Sequence, residues 1–340
     1  MNPRHRRLLI PGLLLALLAI VVISSVANRS DAATSAPQVV STLSDGRINE
    51  SSGLVISPDD PDRAYTINDS GGAPVVYAVS ISTGRTLGAA TIDADLVDTE
   101  ALSIDPDGTL WIADTGDNRG DRTDAALYSL PEIADGTTSV EAKRYPVTYP
   151  GGSIDVEALA IDPTSGATYL ISKGLFGGTV FRLPADLAQD RDNRAEVLAG
   201  DVPGLVTDAA FTPDGRHVVA RDYSEAYVLD PVTWQIETSA ELPPVDQGET
   251  LAMEPSGRSY LIGSEGTGSP LIRVPFTPPA DDADGASAGP SPTPTEAATG
   301  STGTAVPPDG GGFAGATWFW GFVVVALLAA ISGAMTTKRR

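Results

Sequence analysis

Carboxylates recur in this chain directly in front of short apolar runs. The stretch "DTEALSIDPDG" places Glu100 there, "DVEALAIDPTSG" places Glu157 and "GETLAMEPSG" places Glu249. Two further echoes are looser. In "NESSGLVISPDD" Ser52 is equivalent and Glu50 lies two residues earlier; in "GLVTDAAFTPDG" Thr207 is equivalent and Asp208 follows it. Side chains that offer only oxygen suit hard cations, Ca²⁺ or Mg²⁺. Crowded together without a cation, they raise one another's pKa values and cost stability. The plainer reading is a set of solvated carboxylates, or of carboxylates accepting hydrogen bonds from nearby strand N–H groups.

Other chemistries find little support. The two histidines are His5, in the N-terminal segment, and His217, which opens a strand pattern and reads as a packing residue. No G-x-S-x-G elbow accompanies them, so a Ser–His–Asp triad is disfavoured. Zinc lacks its usual Cys and His ligands, and no phosphate-cradling loop is present. The tripeptide "RGD", Arg119 to Asp121, is explained by chance. Trp111 and Trp234 lie in strand patterns and read as core.

The carboxylates need a scaffold that gathers them, and the repeat supplies one. Aligned on the proline after each apolar run (Pro58, Pro106, Pro163, Pro213 and Pro255), the echoes are spaced by 48, 57, 50 and 42 residues. Periods of this size suggest propeller blades. Each unit has a first apolar run, a tight turn of the "DPDG" kind, a second run such as "LWIAD", a polar Gly-rich loop, and a third run such as "ALYSL". A weaker fourth run, such as "VEAKRYPVTY", closes most units. Four short strands per unit without helical periodicity predict an all-β, five-bladed β-propeller, with six blades open if the 57-residue unit holds another. The last unit lacks a fourth strand. Residues 37–43, "PQVVSTL", are predicted to supply it and so to remove an exposed sheet edge.

Antiparallel blades send alternate loops to opposite faces. The starts of first strands share one face with the loops between second and third strands. Glu50, Glu100, Glu157, Asp208 and Glu249 are therefore the candidate metal ligands at one mouth of the central channel. Asn68, Asp69, Asp114, Asp117, Asn118, Asp222 and Glu265 are further candidates for the same rim.

The ends of the chain have a different character. Residues 8–26 are uncharged and mostly apolar behind "RHRR", as in a secretory signal peptide or an uncleaved anchor. Residues 316–335 carry no charge, begin with Trp318, Phe319 and Trp320, and precede "KRR". They are long enough to span a bilayer, with the basic end cytoplasmic. The expected domains are 1–36 signal or anchor and linker, 37–277 propeller, 278–315 disordered Pro/Ser/Thr/Gly/Ala-rich stalk, 316–335 transmembrane helix and 336–340 basic tail. The chain has no cysteine and a net charge of −22. Six of its 22 basic residues sit at the two ends, and all 44 acids lie between them. Such a surface repels phosphate backbones and excludes nucleic acid as a partner.

The stretches "ESSGLVISP", "TEALSIDPDGTLWIADTGDN" and "VEALAIDP" resemble blades of secreted propellers in the gluconolactonase/regucalcin and esterase-like phytase families. The resemblance implies a single divalent cation in the channel, held by a first-blade Glu, two Asn and an Asp. Glu50 matches that Glu by its local motif, Asn118 and Asp208 match others loosely, and Asn68 is on the right face. The sequence as a whole predicts a membrane-tethered extracellular propeller that binds a protein or a small polar ligand at the channel mouth. The alternative is a cation-dependent hydrolase of lactone, ester or phosphoester bonds, in which the cation polarises the scissile oxygen or activates water.

Overall fold

A computed structural model describes residues 36–279, Gly71 apart. The predicted signal, stalk and C-terminal helix lie outside the described residues. Among the described residues, no helix is long and apolar enough to cross a membrane.

The fold is a five-bladed β-propeller. Strand β1 (Gln38–Thr42) comes first in the chain but belongs to the last blade. Blade 1 is β2 (Ser51–Ile56), β3 (Arg63–Asn68), β4 (Val75–Ser80) and β5 (Thr86–Asp93). Blade 2 takes β6 (Thr99–Ile104), β7 (Thr109–Asp114) and β8 (Ala126–Pro131). The chain then visits blade 1 as β9 (Gly136–Glu141) and returns as the outer strand of blade 2, β10 (Lys143–Thr148). Blade 3 is β11 (Val156–Ile161), β12 (Thr168–Ser172) and β13 (Gly178–Arg182). A two-residue β14 (Asn193–Arg194) pairs back onto blade 2 before β15 (Glu196–Val202) completes blade 3. Blade 4 is β16 (Asp208–Phe211), β17 (Val218–Arg221), β18 (Glu225–Leu229) and β19 (Ile236–Glu241). Blade 5 is β20 (Thr250–Met253), β21 (Ser259–Gly263) and β22 (Pro270–Pro275), with β1 antiparallel to β22.

The ring closes as predicted, with residues from the start of the domain supplying the last blade's outer strand. Five apolar clusters follow, one between each neighbouring pair of blades. Tyr65 and Ile67 meet Leu102 and Ile112 between blades 1 and 2, and Leu54 and Tyr77 meet Leu261 and Leu271 where blade 5 meets blade 1. Burial of these interfaces, at about 25 cal/mol per Å² of apolar surface, holds the blades radially.

Two sequence expectations need correction. The run "VEAKRYPVTY" is not one strand. Its first part ends β9, which pairs parallel with β5 of blade 1, and only the rest is the outer strand of blade 2. β9 covers an edge of blade 1 that would otherwise offer unpaired N–H and C=O groups. Trp234 is not in a strand. It follows the turn after Asp230 with φ 58°, and its N–H donates to Asp230 O at 2.7 Å. Its ring is buried all the same, 5.1 Å from that of Tyr169. His217 is buried as expected, with Nδ1 2.7 Å from Glu237 Oε2.

The channel has two unlike ends. On the proline side it is an apolar cavity of about 230 Å³, lined by residues including Leu54, Leu102, Phe211, Leu251, Pro163 and Pro255. The opposite end is acidic.

Candidate functional site

The acidic end is built from strand starts. In blades 2 and 3 the first strand carries a β-bulge. Thr99 faces Asp114 and Ala101 faces Ala113, so Glu100 is an extra residue; Val156 faces Ser172 and Ala158 faces Ile171, so Glu157 is another. An unpaired bulge residue re-aims its side chain, and here both turn towards the hub. The first strands of blades 4 and 5 pair without a bulge. In blade 1 the extra residue is Gly53, at φ 71°; a Cβ there would strike the backbone of Ala101 and Leu102.

Side-chain to backbone hydrogen bonds rivet these starts together. Ser52 Oγ donates to Glu100 O at 2.8 Å, Thr115 Oγ1 to Val156 O at 2.8 Å, and Thr99 Oγ1 to Asp69 O at 2.6 Å. The loop carrying Asp98 is held by Asp114, whose Oδ1 accepts from the N–H groups of Val97 and Asp98 at 3.2 and 2.9 Å. Asn68 does the same in blade 1, accepting from Asn49 and Glu50 at 3.2 Å.

Two carboxylate triads result. Asp69, Asp98 and Glu100 form one, and Glu100, Asp155 and Glu157 the other, each with one oxygen per residue lying within 4.8 Å of the others. That spread is about twice a Ca²⁺–oxygen distance. Glu100 is 5% exposed and Glu157 1%. Glu157 Oε1 and Asp69 Oδ1 are buried without a hydrogen-bond partner. Gly116 sits against the first triad, and a Cβ there would collide with Glu100 Oε1 and Asp98 Oδ2.

The electrostatics follow from this crowding. Burial, then the charges of Glu157, Asp69 and Asp98, push Glu100 strongly upwards. Burial and Asp98 push Asp69 up to about 7. Burial pushes Glu157 up to about 8, although Lys173 opposes the shift with its Nζ 3.0 Å from Glu157 Oε2. Each shift states that the ion-free hub disfavours its own carboxylates. An all-oxygen donor set with an orphaned buried carboxylate oxygen fits Ca²⁺ or Mg²⁺.

No protein-family model and no curated protein matches the chain. Among solved structures it is similar to a luciferin-regenerating enzyme, at 13% identity over 66% of this chain and 78% of that one, with a TM-score of 0.41. A likeness at that level assigns no activity. The five-bladed fold stands on this chain's own strand pairing, and membership of the gluconolactonase/regucalcin family is not shown.

The residues singled out in the sequence fall into three groups. Glu100, Glu157 and Asp69 meet in the triads. Glu50, Glu249 and Glu265 lie close enough to act on the same charges: Glu50 and Glu265 both raise Asp69, and Glu249 raises Glu157. Glu249 is 4% exposed with Oε2 unpartnered. The others, Asn118 apart, serve the backbone. Asp208 accepts from Leu251 N at 2.6 Å and Ala209 N at 2.8 Å, clamping blade 4 to blade 5. Asp117 accepts from Asp121 and Arg122 N–H groups, and Asp222 from Ser224 and Glu225. Asp114 pairs with Arg122 at 2.7 Å. Asn118 is exposed and belongs to neither triad.

Sequence reasoning missed Asp98, Asp155 and Lys173. The first two had a signal: both precede the bulged glutamate by two residues, so "DTE" and "DVE" are one repeated motif. It also missed Arg221, which is fully buried. Its Nη1 donates to Thr250 O at 3.0 Å and Gly263 O at 3.3 Å, joining blade 4 to blade 5.

Proposed function

We propose that this chain is a membrane-tethered extracellular recognition domain that holds a divalent cation, Ca²⁺ or Mg²⁺, at the rim of its hub. The cation and the polar rim around it bind a protein or a small polar ligand. The observation that carries the reading is the pair of carboxylate triads sharing Glu100, sunk in a channel mouth, with Asp69 Oδ1 in the first and Glu157 Oε1 in the second lacking a hydrogen-bond partner. The tether rests on the apolar segments 8–26 and 316–335 and on the polar stalk between propeller and C-terminus. Recognition is preferred to hydrolysis because the rim acids Asp114, Asp117 and Asp222 are engaged as backbone brackets.

Calorimetric titration of the full-length chain with Ca²⁺, together with its melting temperature, tests the reading. Heat of binding and a higher melting temperature are expected, because an ion that binds only the folded state must stabilise it. No heat and no shift with either Ca²⁺ or Mg²⁺ would remove the cation from the hub.

A further inference from the structure

The two triads share Glu100 and differ in their surroundings. The residue directly after a blade's second strand is Asp69 in blade 1, Thr115 in blade 2, Lys173 in blade 3, Asp222 in blade 4 and Ser264 in blade 5. In blade 1 this position adds a carboxylate to a triad. In blade 3 it adds an ammonium. Lys173 Nζ lies 3.0 Å from Glu157 Oε2, and the Lys173 N–H donates to Asp155 O at 3.0 Å. The residue is thus stitched to both acids that are peculiar to the second triad. The ammonium also faces the Tyr223 ring, 5.5 Å from its centroid, and lies in the field of Glu249. In the first triad the charges of Asp98, Glu265 and Glu50 all raise Asp69, and Arg122, the cation that acts on Asp98, is itself paired with Asp114 at 2.7 Å.

We infer that Lys173 is a built-in cation that occupies the Glu157 side of the hub, so that the first triad takes a divalent ion and the second does not. The inference rests on the cation reading above. Its physics is direct. The ammonium engages one oxygen of Glu157 and would stand beside any ion in the second triad, repelling it. Without that charge, Glu157 offers both oxygens, and Glu157 Oε1 is already buried and unpartnered. Glu100 does not forbid a second ion, because a carboxylate has two oxygens and can bridge.

Calorimetric Ca²⁺ stoichiometry on the full-length chain tests this, in wild type, Lys173→Arg, Lys173→Met and the double variant Lys173→Met with Glu157→Gln. One ion per chain is expected in wild type and Lys173→Arg, two in Lys173→Met, and one again in the double variant. Lys173→Gln, which keeps a donor for Glu157 without the charge, gives the same count of two should Lys173→Met fail to fold. A neutral variant that binds one ion with wild-type affinity overturns the inference and leaves the cation reading standing. If wild type binds none and the neutral variant binds one, Lys173 is the internal cation and the first-triad ion is wrong. If neither binds, both readings fall.

Discussion

Replacing Glu100 by glutamine strikes the one residue that both triads use. The amide keeps the shape and an oxygen for the ion but loses the charge. A +2/−1 pair at a Ca²⁺–oxygen distance of about 2.4 Å is worth about 3.5 kcal/mol even at a dielectric of about 80. That corresponds to about 300-fold in Kd. One effect opposes it. Glu100 is pushed strongly upwards by burial and by Glu157, Asp69 and Asp98, so the ion-free hub holds a proton there that the ion must displace. At neutral pH the expected loss is therefore smaller, about 30-fold to 300-fold, and grows as pH rises. Metal-free stability should not fall, since a neutral amide replaces a neutral acid. At a Ca²⁺ concentration of about 100 times the wild-type Kd, mass action adds about 2.7 kcal/mol to the wild type. For a domain of this size that is about 5–10 °C in melting temperature. In the variant the rise should shrink to about 3 °C or less at the same concentration. A Kd within threefold of wild type would refute the hub as the site.

Further outcomes follow from the same geometry. Gly116→Ala should abolish Ca²⁺ binding in calorimetry while Gly46→Ala, which has open space around it, leaves binding intact; equal affinities would misplace Glu100 and Asp98. Asp69 and Glu157 have folded pKa values raised to about 7 and about 8, so in EDTA the folded state binds more protons than the unfolded one above their unfolded values. Stability should accordingly fall as pH rises from about 5 to about 8, and Ca²⁺ should bind more tightly over the same window by releasing protons; a flat or rising urea midpoint in EDTA would contradict this. Arg221→Met removes the donor to Thr250 O and Gly263 O and leaves buried Asp208 without its nearby positive charge, so it should cost about 3–5 kcal/mol in urea unfolding; a cost under about 1 kcal/mol would show the buried charge to be dispensable. The chain has no cysteine, so Ser301→Cys introduces a single label site in the stalk, which an impermeant maleimide should reach from outside intact cells; labelling only after lysis would reverse the topology.

The wheel was legible because each blade repeats a local event, an apolar run turning at a proline, and five such events can bury their faces only by packing in a ring. What escaped reading was pairing that leaves no local trace. β9 is largely exposed and carries no alternating pattern that ties it to blade 1, yet it pairs there in parallel. The site divides along the same line. Carboxylates at strand starts could be seen, but their direction could not, because a bulge decides it. Glu100 and Glu157 are bulged, whereas Thr250 of blade 5 pairs in regular register directly after Glu249. Nor could residue type alone say which acids serve the backbone. Asn68 and Asp114 occupy one repeat position and do one job, bracketing the loop before the next carboxylate, so the charge of Asp114 carries no message about metal. The message lies where equivalent positions differ in sign. Asp69 and Lys173 stand at the same point of two blades, one adding a carboxylate to its triad and the other setting an ammonium directly against Glu157. A fivefold ring of identical blades would offer its hub five equal sites, and it is this break in the repeat that makes one of them distinct.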